Sequence, residues 1–121
     1  MSETHVSYTI RTQHATFINE AIEASVITDI IHDFVSDDSD FIVIEPTPMI
    51  QNTLYLQAIS APNNPGGIVV ELRVQHDEES FTHYSYETED TAEVIRMFLN
   101  YWGSQQLPDM TNWTDITEQF E

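Results

Sequence analysis

The segment IVVELRVQHDEESFTHYSYETED, residues 68–90, decides the fold. Its first part has an apolar residue at every second position, namely Ile68, Val70, Leu72 and Val74. Alternation with this period is typical of a β-strand that buries one face. An acidic connection at residues 77–80 leads to a final strand at residues 81–86, so we predict a β-hairpin.

The length of the hairpin loop decides which side of the second strand is buried. A loop at residues 77–80 places Arg73 opposite Tyr84 on the solvent face, where the guanidinium can stack on the ring. One residue more or fewer turns Tyr84 and Tyr86 toward the core, because neighbouring side chains of a strand point to opposite faces. The sequence leaves both arrangements open.

An amphipathic helix follows the hairpin. Thr88 or Asp90 can cap its first turn, and Asp90 and Glu93 have the spacing of a capping box. Its broad apolar face comprises Val94, Ile95, Met97, Phe98, Leu99, Tyr101 and Trp102. Gly103 is placed to end this helix. A short closing helix is predicted in the tail from the helical spacing of Trp113, Ile116 and Phe120.

The N-terminal third predicts one strand and one helix. Residues 5–10 alternate, with Val6, Tyr8 and Ile10 on one side. Residues 15–35 instead carry apolar residues at helical spacing with acids between them, so we predict a helix that Thr12 or Thr16 caps. The acidic stretch at residues 36–40 ends it.

The middle of the chain predicts two further strands. Residues 41–44 form the first, which the prolines at positions 46 and 48 end. Residues 53–59 form the second, and the Pro-, Asn- and Gly-rich residues 62–67 form a loop before the hairpin.

Together these elements predict a single α+β domain over residues 1–121. Consecutive strands with short connections favour an antiparallel sheet. Helices on both sides of that run favour a two-layer fold, in which an antiparallel β-meander of about four strands, with a possible fifth N-terminal strand, packs against two main helices.

The charge balance is the most unusual property of the sequence. The chain has 21 acidic residues, only three arginines and no lysine, for a formal net charge of −18. Such a protein is surrounded by negative potential, which repels nucleic acid and anionic lipid and attracts basic surfaces. Direct nucleic-acid binding requires a basic footprint. We therefore expect no direct nucleic acid, no membrane and a basic protein as partner.

No motif in the sequence points to catalysis, a metal or a cofactor. The chain has no cysteine, no nucleophile elbow and no phosphate loop. His76 and His83 flank the hairpin loop and with Asp77 form one candidate metal set, but they are interpreted as ordinary hairpin histidines. Asp37, Asp38 and Asp40 suggest a calcium loop, but no glycine follows them as such a loop requires, so they are interpreted as a solvated acidic loop. No membrane span or signal peptide is recognised. We expect a cytoplasmic protein that is not an enzyme and has no cofactor.

Three acidic patches in or beside loops are the candidate partner-binding residues. They are Asp37, Asp38 and Asp40, then Asp77, Glu78 and Glu79, and finally Glu87, Glu89 and Asp90. The second and third patches lie at opposite ends of the predicted hairpin. A folded domain with such patches presents carboxylates much as DNA presents phosphates, and its association with a basic protein is steered and sensitive to salt.

The C-terminal half carries a family resemblance. The strand from Ile68 to Asp77 leads through Glu79 to Tyr84–Asp90 and then into the helix Val94–Gly103. In order and spacing, residues 68–103 resemble the small acidic DNA-mimic anti-CRISPR proteins that inhibit type II effector nucleases. The resemblance implies an inhibitor that occupies the basic nucleic-acid-binding surface of a nuclease, with the acids of the hairpin loop and the strand-to-helix turn in place of DNA.

Two alternatives remain open. The protein can be an immunity protein that neutralises a basic toxin nuclease, a class to which the tail at residues 107–116 has some likeness. It can also be an uncharacterised soluble binding domain whose acidity is environmental, as in salt-adapted proteins. The thirteen isoleucines and thirteen asparagine or glutamine residues argue against strong salt adaptation.

Overall fold

The computed structural model describes residues 7–12, 15–33, 41–61 and 66–120. The strands are β1 Ser7–Thr12, β2 Thr16–Ile18, β3 Phe41–Thr47, β4 Thr53–Ser60, β5 Ile68–Gln75, β6 Phe81–Thr88 and β7 Thr114–Asp115. The α-helices are α1 Ala24–His32 and α2 Thr91–Ser104, and single 3-10 turns span Asn19–Ala21 and Thr117–Phe120.

In the described part of the chain, seven strands form one antiparallel sheet in the order β2-β1-β3-β4-β5-β6-β7. The α+β class is confirmed, and β3 to β6 are the predicted meander. The expected count of four to five strands is too low, because the short edge strands β2 and β7 were not predicted. Two and three residues are too few to show an alternating pattern.

The hydrophobic core lies between the helices and one face of the sheet, which we call the inner face. Every second residue of the central strands is buried there, including Ile44, Leu56 and Val70. The helix α2 contributes Phe98 and Tyr101, both fully buried, and packs against α1, β4 and β5. The apolar stripes predicted for the central strands and for α2 are therefore what builds the core.

A buried hydroxyl pair ties α2 to β4. The Thr53 hydroxyl donates to the carbonyl oxygen of Ile50 at 2.6 Å, so it accepts from the Tyr101 hydroxyl at 2.7 Å. Burial raises the pKa of Tyr101 to about 12. The end of α2 is also tied to β1, since the Tyr8 hydroxyl accepts from the Gln105 amide at 2.9 Å. These bonds satisfy polar groups that would otherwise be costly to bury.

The helix predicted over residues 15–35 is wrong for its first nine residues, 15–23. Residues Thr16–Ile18 instead pair with β1, with Ile18 opposite Thr9, and α1 begins only at Ala24. The Thr12 hydroxyl closes the turn before β2 by accepting from Ala15 N at 3.0 Å, and the N-cap position of α1 is Glu23, so neither predicted cap holds. Thr16–Ile18 is a β-branched and aromatic segment, and it can pair with the open edge of β1. This pairing favours a strand over the helix that the apolar spacing predicts. The predicted end of this helix lies outside the described residues.

Two other predicted boundaries are wrong. The strand β3 continues through Pro46, which lies opposite Tyr8, and ends at Thr47. A proline lacks one donor, but its φ is compatible with extended backbone. The helix α2 does not end at Gly103 but at Ser104, after which Gln105 takes the left-handed conformation with φ 52°.

The hairpin loop is one residue longer than the predicted loop at residues 77–80. Gln75 pairs with Phe81, so five residues connect β5 to β6, and Arg73 lies opposite His83, not Tyr84. Tyr84 and Tyr86 therefore lie on the inner face, opposite Leu72 and Val70. The tail differs too: only Thr117–Phe120 is helical, as a 3-10 turn. Among the described residues, neither helix is long and apolar enough to cross a membrane.

Candidate functional site

The hairpin loop, residues 76–80, carries three acidic residues, and one of them, Asp77, stabilises the turn. The Asp77 carboxylate accepts hydrogen bonds from the backbone N–H groups of Glu79 and Ser80, each at 2.8 Å. These bonds lower the pKa of Asp77, because they stabilise its ionised form. Glu78 and Glu79 are exposed. Asp77 thus positions the loop, and the two glutamates carry its outward charge.

In the strand–helix turn, residues 87–90, one acid likewise stabilises the structure and two acids are exposed. The Asp90 carboxylate caps α2 by accepting from Glu93 N at 3.2 Å, as predicted. The Thr88 hydroxyl accepts from Asp90 N at 3.0 Å and fixes the approach of the chain. Glu87 and Glu89 are exposed on this turn. Capping bonds of this kind stabilise a helix by about 1 kcal/mol.

The structure places the two acidic patches at opposite ends of β6 and does not bring them together. The six residues 81–86 of β6 separate the hairpin loop from the strand–helix turn, and the seven steps from residue 80 to residue 87 span about 24 Å at the usual rise of about 3.4 Å per residue. The third predicted patch, Asp37, Asp38 and Asp40, lies outside the described residues.

Two of the three arginines are engaged on the outer face of the sheet, the face opposite the core. Arg11 forms an ion pair with Glu45 at 2.8 Å. The guanidinium of Arg73 lies 4.2 Å from the ring centroid of Phe81, and its Nε–H donates to His83 Nδ1 at 3.1 Å. The predicted stacking of Arg73 on Tyr84 is wrong, because the five-residue loop brings Phe81 and His83 to the face of Arg73.

His83 is buried on this outer face. Its exposed fraction is 1%, and its Nε2 lies 3.2 Å from a carboxylate oxygen of Glu71. Because Nδ1 accepts from Arg73, the neutral ring carries its proton on Nε2. Burial lowers the pKa of His83 below its ordinary 6.5, and Arg73 acts in the same direction, whereas Glu71 opposes the shift. His83 is a structural residue of this face.

Replacing His83 with glutamine is expected to reduce the loss of stability on acidification. The unfolded chain protonates His83 as pH falls through 6.5, but the folded protein resists until lower pH. The unfolded state therefore binds more protons in that window, and the free energy of unfolding falls with pH. His83→Gln removes this contribution. Urea unfolding between about pH 7 and pH 5 should show a shallower decline for the variant.

The control is His32→Gln, which removes an exposed histidine at the end of α1. It is expected to leave the wild-type slope nearly unchanged. Equal slopes for wild type and His83→Gln would contradict the depressed pKa.

A cavity that the sequence does not predict lies beside the strand–helix turn, between α2 and the segment that leads to β7. We call it the C-terminal cavity, and it is lined by Tyr86, Glu93, Met97, Asp109, Asn112 and Trp113. The sequence does not predict this cavity because its two aromatic residues belong to distant segments. Tyr86 is predicted in the hairpin and Trp113 in a closing helix.

Among the described residues, no group of three or more histidines or acids is arranged to hold a metal ion. His76 instead hydrogen-bonds to Thr82 at 2.6 Å. Comparison with protein-family models, curated proteins and solved structures yields no match.

Proposed function

We propose that this protein is a non-catalytic inhibitor that occupies the basic nucleic-acid-binding surface of a nuclease. The observation that supports this most directly is the exposure of acids at both ends of β6. Glu78 and Glu79 lie at one end, and Glu87 and Glu89 at the other. Lysine and arginine side chains that grip a phosphate backbone are attracted to such a surface.

The dimensions are compatible with DNA mimicry. The separation of about 24 Å between the two acidic ends corresponds to about seven base-pair steps, because each strand of DNA carries one charge per about 3.4 Å. With a net charge of −18 on 121 residues, the protein also attracts a basic partner from a distance. Arg11 and Arg73 are already counted in this net charge, and both are engaged by residues of their own sheet.

The six acids of the two patches have different roles in this proposal. Glu78, Glu79, Glu87 and Glu89 contact the partner's cations. Asp77 and Asp90 position those glutamates through the loop and the helix cap. Asp37, Asp38 and Asp40 add a further acidic patch in the proposal. A cytoplasmic location places the inhibitor with an intracellular nuclease.

The test is displacement of DNA from defined nucleases. A fluorescent target duplex is bound to a guide-loaded type II effector nuclease, the target class of the resembling family, and its anisotropy is followed as the protein is added. A basic toxin nuclease with its own labelled duplex is the second target. We expect displacement from the effector near 0.05 M salt and about tenfold weaker displacement near 0.2 M salt.

The two targets separate the candidate functions. Displacement from the effector alone supports the anti-CRISPR assignment, and displacement from the toxin alone replaces it with the immunity function. An unchanged anisotropy with both, or displacement that does not depend on salt, would contradict binding through the acidic patches.

A further inference from the structure

The C-terminal cavity has the size and access of a side-chain pocket. Its volume is about 130 Å³, well above the ~10–15 Å³ that one water molecule needs. Glu93, Tyr86 and Trp113 are only half-buried, and Asp109 is exposed, so the cavity opens to solvent.

One wall of the cavity is aromatic. The rings of Tyr86 and Trp113 stack nearly parallel, with an interplanar angle of 9° and 5.6 Å between their centroids. This is an offset stack, which fixes both rings. The indole of tryptophan is the best aromatic partner for a cation, because its face carries negative charge density. Met97 adds an aliphatic surface beside the rings.

The acidic groups of the cavity are held in place before any ligand arrives. The Glu93 carboxylate accepts from the Tyr86 hydroxyl at 3.0 Å and from the Thr88 hydroxyl at 3.0 Å. The Asp109 carboxylate accepts from the backbone N–H and the hydroxyl of Thr111. These bonds lower the pKa of Asp109, so it is ionised at neutral pH. The bond to Glu93 raises the pKa of Tyr86.

We propose that the C-terminal cavity binds the guanidinium group of an arginine side chain supplied by the basic partner. A guanidinium is planar and presents a fork of N–H donors, so it can stack on the aromatic wall while it donates to Glu93 and Asp109. Anions are repelled by the two carboxylates. The guanidinium site is argued from the cavity's own residues. Only the source of the arginine, a basic partner, rests on the proposed function.

The nearest arginine of the chain itself does not line this cavity. Arg96 is exposed on α2, one turn after Glu93, and lines an adjoining cavity that shares Glu93, Met97 and Asp109. Asn100 and Leu107 line this adjoining cavity together with Arg96, and none of the three lines the C-terminal cavity. Because Arg96 does not line the C-terminal cavity, the guanidinium proposed for it is an external one.

The test measures binding of Nα-acetyl-arginine N-methylamide through the fluorescence of Trp113. The second tryptophan, Trp102, is replaced by phenylalanine so that Trp113 reports alone. We expect saturable binding, about tenfold weaker for the corresponding citrulline amide, which keeps the shape but has no charge. The lysine amide is also expected to bind more weakly, because it cannot stack or donate as a fork.

Variants connect the signal to the cavity. Glu93→Gln and Asp109→Asn keep the acceptor oxygens for their hydroxyl partners but remove the charges, and each is expected to weaken binding about tenfold. Glu118→Gln makes the same change of charge on the 3-10 turn after β7 without lining the cavity and is expected to leave binding unchanged. Near-UV circular dichroism checks that each variant is folded.

Each result decides a separate point. Equal binding of the arginine and citrulline amides, or equal loss with Glu93→Gln and Glu118→Gln, would overturn the guanidinium site. If free arginine binds more tightly than the blocked amide, the site also recognises the α-amino or α-carboxylate group, and a partner's side chain is the wrong source. Saturable binding of the arginine amide by a protein that displaces no duplex would keep the cavity assignment and reject the nuclease-inhibitor function.

Discussion

Phe98→Ala is expected to lower the free energy of unfolding by about 3–5 kcal/mol. Phe98 is fully buried on α2, in the core that this helix shares with α1 and the inner face of the sheet. Removing the ring loses its transfer free energy and leaves a cavity that neighbouring β-strands cannot close. Such a loss is a large share of the ~5–15 kcal/mol that stabilises a typical domain.

Urea unfolding followed by circular dichroism measures this effect. Asn100→Ala lies on the exposed side of the same helix and is expected to change stability by less than about 0.5 kcal/mol. If Phe98→Ala does not fold, Phe98→Leu replaces it, with an expected cost of about 1–1.5 kcal/mol. A cost at Phe98 no larger than at Asn100 would contradict the packing of α2 described here.

Reversing the charge of Glu78 and Glu79 to lysine is expected to weaken displacement of the duplex by about 100-fold at low salt. Each reversal replaces an attraction with a repulsion where the partner's cations are proposed to lie, which we take as about tenfold per site. Asp77 is retained, because its bonds to Glu79 N and Ser80 N hold the loop. The melting temperature should change little, since both side chains are exposed.

The matched control is Glu20→Lys with Asp29→Lys, which makes the same change of net charge elsewhere. Both residues are exposed. Glu20 follows β2, which four strands separate from β6 in the sheet, and Asp29 lies on α1. We expect this control to weaken displacement less than tenfold. Similar losses in the two double variants would mean that total charge, and not the hairpin loop, determines binding.

The hairpin and α2 were predictable because several local signals agree there. Residues 68–74 alternate without interruption, and Asp90 combines a capping side chain with the start of an amphipathic helix. The N-terminal region was not predictable in the same way. Thr16–Ile18 fits a helical period and a strand equally well, and its pairing with β1 decides between them through a contact that spacing alone does not reveal.

The candidate site was predictable in composition but not in geometry. The acids of both described patches are exposed, as a count of charges suggests. Asp77 and Asp90 have structural roles because they accept hydrogen bonds from backbone N–H groups two or three residues ahead. A count of charges does not reveal these bonds. The C-terminal cavity depends on Trp113 reaching Tyr86 across 27 positions, and a tertiary contact of this kind leaves no periodic trace in the sequence.

The sheet ends on the two shortest strands, β2 with three residues and β7 with two. An open edge invites a strand of another molecule to pair with it, and intermolecular pairing of this kind starts aggregation. Edges this short offer few donors and acceptors, even though Ile18 is 60% exposed on β2. Mutual repulsion between copies of charge −18 adds to this protection. Short edge strands and mutual repulsion therefore both oppose pairing between copies of this protein.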